Sequence, residues 1–113
     1  MAKHLYVAFF TGIAGSNMGM FCIGDGVIAG ADGGGLKYDG TVEAKPDGSL
    51  EGMVKFIVPA GTHLISGLTA NQAQTLSVHV RFALGFDDGE RITRIDTPAG
   101  PINARFERLR ELP

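Results

Sequence analysis

Three histidines are the first candidates for acid–base or metal chemistry, and their spacing supports neither. His4, His63 and His79 lie far apart, and none sits four residues from another as paired ligands on a helix would. His79 falls beside Arg81 on the polar side of an alternating run, which suits a barrel exterior or a partner surface. Ser16, Ser49, Ser66 and Ser77 lack the Gly-x-Ser-x-Gly elbow of an activated serine, and Cys22 lies in an apolar run unsuited to a thiolate. Asp87, Asp88 and Glu90 lack the alternating ligands and distant glutamate of a calcium loop and read as a solvated hairpin turn. No catalytic, cofactor-binding or metal residue is therefore assigned.

The run "GADGGG" at 30–35 has the spacing of a dinucleotide fingerprint, which requires a helix after it whose N-terminus meets the pyrophosphate. The next residues are instead "LKYDGTVEA", a strand sequence with an aromatic residue and a further glycine. The glycines are expected to permit bends, bulges and close backbone approach. Asp32, set between Ala31 and Gly33, is expected to cap backbone groups there.

The elements that would position these residues are strands. In "TLSVHVRFAL" Leu76, Val78, Val80, Phe82 and Leu84 share one face and Thr75, Ser77, His79 and Arg81 the other. "LEGMVKFIV" repeats the pattern with Leu50, Val54, Phe56 and Val58 on one face, and Glu51, Lys55, Met53 and Ile57 opposite. Further strands are read at 4–10, 18–24, 27–31, 36–45, 90–97 and 101–108, separated by "GDG", "KPDG" and "DDG" turns that favour antiparallel hairpins. Residues 59–74 are long for a plain connection, and a short strand or helical turn is expected there, in a loop over a barrel mouth. The expected fold is all-β, a single domain over 1–113, built as an antiparallel barrel of about eight strands with little helix.

Phe9, Phe10, Phe21, Phe56, Phe82 and Phe106 are available for the interior, and a filled core is expected in preference to a large cavity. The alternative is a carrier of a small apolar ligand in that interior. Met18, Met20, Met53 and Ile57 are candidates for a self-complementary interface between two copies. A formal net charge of −2 without a basic run disfavours direct binding to nucleic acid or an anionic membrane. One cysteine cannot form an intrachain disulfide; Cys22 reads as a small buried hydrophobe, suited to a reducing compartment. Lys3 and the "LYVAFFTGIAG" beyond it have the outline of a signal peptide, yet aromatic and β-branched residues favour a first strand.

With those elements placed, "LYVAFFTGIAGSNMGMFCIGDGVIAGADGGGLKYDGTVEA" resembles the opening half of the GrlR-type negative regulators of type III secretion, a family with a small lipocalin-like β-barrel. The resemblance rests on an aromatic first strand, a glycine turn, then Gly30-x-Asp32 and Tyr38-x-Gly40, with a looser echo in "NARFERL". It implies a cytoplasmic homodimer without chemistry of its own that sequesters a transcriptional activator. The acidic run that one compared member of the family carries in the turn after its Tyr-x-Gly strand is replaced here by "AKPDG", where Asp47 is the only acid.

Overall fold

Alternation decides which way each strand faces. In the computed structural model, which describes residues 2–113, Leu50, Val54, Phe56 and Val58 of β5 (Leu50–Val58) are buried while Met53, Lys55 and Ile57 are exposed. In β8 (Gln74–Phe82) Val78, Val80 and Phe82 are buried while Ser77, His79 and Arg81 are exposed. The strands pair antiparallel with Val54 opposite Val78 and Leu50 opposite Phe82, so their buried rows coincide.

The remaining long strands are β1 (His4–Gly12), β2 (Gly15–Gly24), β3 (Val27–Asp32), β4 (Lys37–Ala44), β9 (Asp88–Thr97) and β10 (Gly100–Glu111). They form one eight-stranded sheet in the order β8-β5-β4-β3-β2-β1-β10-β9, with every neighbouring pair antiparallel. The sheet is strongly curled. Its edges, β8 and β9, are joined by residues 83–87 but exchange no ladder, leaving the curl a half-barrel rather than a hydrogen-bonded ring. No helix occurs among the described residues.

Turn chemistry sets the register. Between β2 and β3, Asp25 and Gly26 both have positive φ, 50° and 80°, the requirement of a type I′ hairpin whose twist matches its strands. Gly24 accordingly faces Val27 across the two-residue loop.

A diagonal of glycines bends the sheet. Gly19 of β2 pairs with Asp32; two residues back along β3 is Gly30, which pairs with Tyr38; two along β4 is Gly40, which pairs with Val54; two back along β5 is Gly52. A Cβ on Gly19 would lie 2.6 Å from the Ala31 carbonyl oxygen, and one on Gly30, Gly40 or Gly52 would run into the carbonyl oxygen of Met20, Met53 or Thr41. A step of two residues per strand makes a line at about 36° to the strands, within the usual range of tilt in closed barrels, so the crease runs along the axis of curvature. On the far side, β10 shifts register against β1 at Leu5/Tyr6 and against β9 at Arg105/Glu107, two irregularities that add local twist.

The concave face holds the core. Phe106 meets Phe82 edge-on at 5.1 Å and Phe10 at 6.3 Å, and Tyr38 meets Phe56 edge-on at 4.8 Å. Phe56, Phe82 and Phe106 are all buried there. Phe9 is not among them: with Tyr6, Ala8 and Phe10 facing in, period two turns it outward, where the Arg105 guanidinium lies 4.5 Å from its ring centroid. Cys22, between inward Phe21 and Ile23, is likewise on the convex side and only half-buried. Leu84 does not continue the core face of β8, which ends at Phe82; it is 69% exposed, and Phe86 takes the interior place 4.9 Å from Phe82. The last strand runs beyond Arg108 to Glu111.

Replacing Gly52 with alanine should cost about 2 kcal/mol or more by forcing β4 and β5 apart, measured as a lowered urea midpoint. A midpoint equal to wild type would show that the crease tolerates a side chain.

Candidate functional site

Asp32 ends β3 at one mouth of the curled sheet. Its Oδ1 accepts hydrogen bonds from the Gly34 and Leu36 amides at 2.9 and 3.1 Å, and its Oδ2 accepts one from the Tyr38 hydroxyl at 2.6 Å. The amides that a phosphate loop would offer an anion are thus taken by the chain's own carboxylate, and β4 stands where the fingerprint needs a helix. Gly30 lies between Phe21 and Tyr38 on the neighbouring strands, whose rings come to 5.0 Å across the space it leaves. Gly30, Asp32, Tyr38 and Gly40 therefore form one unit, two glycines of the crease and a capped turn anchored on a buried phenol.

Burial, and then the bond to Asp32, hold the Tyr38 pKa well above the ordinary tyrosine range. Tyr38 is a neutral donor here, and the pair holds a turn rather than activating a nucleophile. Burial likewise raises Tyr6, with nearby Asp87 adding to the effect.

The segment at 59–74 covers this mouth. It contains the short hairpin β6 (Thr62–His63) and β7 (Thr69–Ala70), closed by Leu64 N–H donating to the Leu68 carbonyl at 2.8 Å and Gly67 N–H to the Leu64 carbonyl at 3.0 Å. Leu64 and Ile65 pack on the core, Ala70 is buried, and the Ala14 amide donates to the Ile65 carbonyl at 2.8 Å. Between hairpin and core lies a cavity of about 50 Å³, floored by Phe10, Tyr38 and Phe56, with Asn17 and Asp32 at its rim.

The other polar candidates are dispersed. His79 Nε2 lies 3.1 Å from Glu51 Oε1 on the convex face, His63 Nδ1 lies 3.0 Å from the Thr69 hydroxyl, and His4 packs 6.1 Å from the Tyr6 ring. The bond to His79 lowers the Glu51 pKa; the Ser49 hydroxyl and then its amide, both donating to Asp47, lower that of Asp47. Asp88 accepts from the Glu90 and Arg91 amides at 2.8 Å, as a turn residue, while Asp87 pairs with Arg108 at 3.8 Å. Among the described residues no group of three or more His, Cys, Asp or Glu side chains could hold a metal.

The interface candidates separate into two places. Met18 and Met20 stand on the convex side of β2, 54% and 43% exposed, in register with Phe9 and Val7 of β1. Met53 and Ile57 are on β5, and β4 intervenes with Lys37, Asp39 and Thr41 exposed between the two groups. Sequence reading missed that the convex side of β1–β3 is apolar from Leu5 to Phe9, at Met18, Met20 and Cys22 and along β3, turning polar only at Thr11 and Ser16. The signal was present: "LYVAFF" and "MGMFCIG" are apolar at both parities, the pattern of strands covered on two faces.

No family model matches the chain, and neither a curated protein nor a solved structure matches it. The all-antiparallel curled sheet is consistent with a small lipocalin-like barrel.

Because both tyrosines of the chain are held neutral by the fold, the stability this gives is present below the ordinary tyrosine pKa of about 10 and is lost as pH rises through the raised values. Ultraviolet absorbance should show phenolate only above a pH of about 10, with the Tyr38 part appearing as circular dichroism reports unfolding. Ionisation of either tyrosine near pH 10 in folded protein would contradict the assignment.

Proposed function

We propose that the chain is a non-enzymatic protein-binding module, a cytoplasmic homodimer that docks a protein partner and acts, like the GrlR-type regulators it resembles, by sequestering a transcriptional activator. One observation carries the binding reading. The convex side of three adjacent strands presents Leu5, Val7 and Phe9, then Met18 and Met20, then Ala31, without an intervening charge. Contiguous apolar surface of this kind marks an interaction site, and methionine adapts to more than one partner shape. Along one border β10 places Arg105, Glu107 and Arg110 opposite Phe9, Val7 and Leu5, an edge of mixed charge. The regulatory part of the proposal rests on the glycine-turn resemblance. The alternative, an apolar ligand deep in the interior, finds a space of about 20 Å³ among the core side chains, far below the several hundred Å³ of typical ligand pockets.

Native mass spectrometry of the full chain should give a dimer, with a second polypeptide retained when the protein is purified gently from its own host. Met20→Lys, which puts a charge at the centre of the patch, should weaken self-association at least roughly tenfold while leaving the circular dichroism spectrum unchanged. A wild-type monomer with no retained polypeptide would overturn the reading.

A further inference from the structure

We propose that the mouth beneath the β6–β7 hairpin binds an organic ammonium ion bearing a short apolar tail, admitted when the hairpin lifts. The site is separate from the convex surface and does not depend on the protein-binding reading. Its chemistry is set by the lining. Among the described residues lining the cavity Asp32 is the only acid and there is no lysine or arginine; the one other titratable base is His63, whose Nδ1 lies 3.0 Å from the Thr69 hydroxyl. A carboxylate offers about four acceptor sites. Two amides and the Tyr38 hydroxyl use three of them, so by count the carboxylate can accept one further donor.

Phe10, Tyr38 and Phe56 supply aromatic walls beside that carboxylate, with Phe10 and Tyr38 stacked at 6.1 Å and Tyr38 meeting Phe56 at 4.8 Å. Aromatic faces attract cations and repel anions, and a carboxylate discriminates in the same direction. Asn17, also in the lining, has an Oδ1 that already accepts the Met18 amide at 2.8 Å and keeps one lone pair for a second N–H. Leu64, Ile65 and Leu76 provide apolar surface for the tail. A carboxylate-headed lipid would meet the wrong charge, and a neutral tail would leave the Asp32 capacity unused.

The cavity, about 50 Å³, is smaller than such a ligand, so the proposal requires the hairpin to move and Leu64 and Ile65 to leave their places on the core. The hairpin's closing hydrogen bonds are internal, and a single backbone bond, Ala14 to Ile65, ties its tip to the β1–β2 loop. At its base Gly61 has a φ of 80° and its amide donates to the Ala70 carbonyl at 2.7 Å, so the hairpin would lift as a unit with that bond intact.

Isothermal titration of the full chain with octylamine, octanol and octanoate, each below its aggregation concentration, tests the assignment. Octylamine should bind at least roughly tenfold more tightly than octanoate, with octanol between, and added salt should narrow the gap. Asp32→Asn keeps an oxygen for the turn amides and should bring the three ligands within about threefold of one another; Asp39→Asn, which removes an equal charge from the convex face, should leave the preference intact. Equal affinities in the wild type, an amine preference that survives Asp32→Asn, or no saturable binding of octylamine would each overturn the proposal. If Asp32→Asn does not fold, the wild-type order and its salt dependence still decide.

Discussion

The curl of the sheet depends on absent side chains. A flat eight-stranded antiparallel sheet would leave its apolar face open to water, because the described chain has no helix to lay over it. Bending the sheet onto itself solves this, and Gly19, Gly30, Gly40 and Gly52 let successive strands bend along one line where any Cβ would strike the neighbouring backbone. The energetic loss of placing glycine in strands is offset by burial of the aromatic cluster that the bend encloses. Phe21 and Tyr38 show the coupling directly, since their rings occupy the space over Gly30.

The same bend makes the mouth. Where the crease meets the β3–β4 turn, the Asp32 carboxylate is needed to satisfy amides that no strand pairing reaches, and Tyr38 is needed to hold that carboxylate in place. A structural cap thereby leaves a polar group beside an apolar chamber. The hairpin at 62–70 lays Leu64 and Ile65 over the chamber, so this end of the curl is covered by a short two-stranded element outside the main sheet.

The convex side divides by strand. β4 and β8 carry Lys37, Asp39, His79 and Arg81 and behave as solvated strands, whereas β1 to β3 carry apolar residues at both parities. That asymmetry turns one side of a small barrel into an interaction surface and leaves the other wet. The unpaired edges β8 and β9 sit at the seam, held together by buried Val78, Val80 and Ile95 rather than by a ladder.

The sequence by itself determined the strands, because hydrophobic alternation and turn residues act locally: the eight long strands and the identity of Asp32 as a backbone cap were legible in it. It also showed why "GADGGG" is not a phosphate loop, since the next residues favour a strand. Tertiary structure alone decided where alternation becomes ambiguous. "AFF" does not say which phenylalanine faces in until Tyr6 and Ala8 fix the register, and Leu84 matched the core pattern but lost its place to Phe86 once β8 ended at Phe82. The diagonal of glycines, the bond from Tyr38 to Asp32 and the division of Met18 and Met20 from Met53 and Ile57 all depend on which residue lies opposite which. Register of that kind is set by the packing of the whole sheet, and no local stretch of chain contains it.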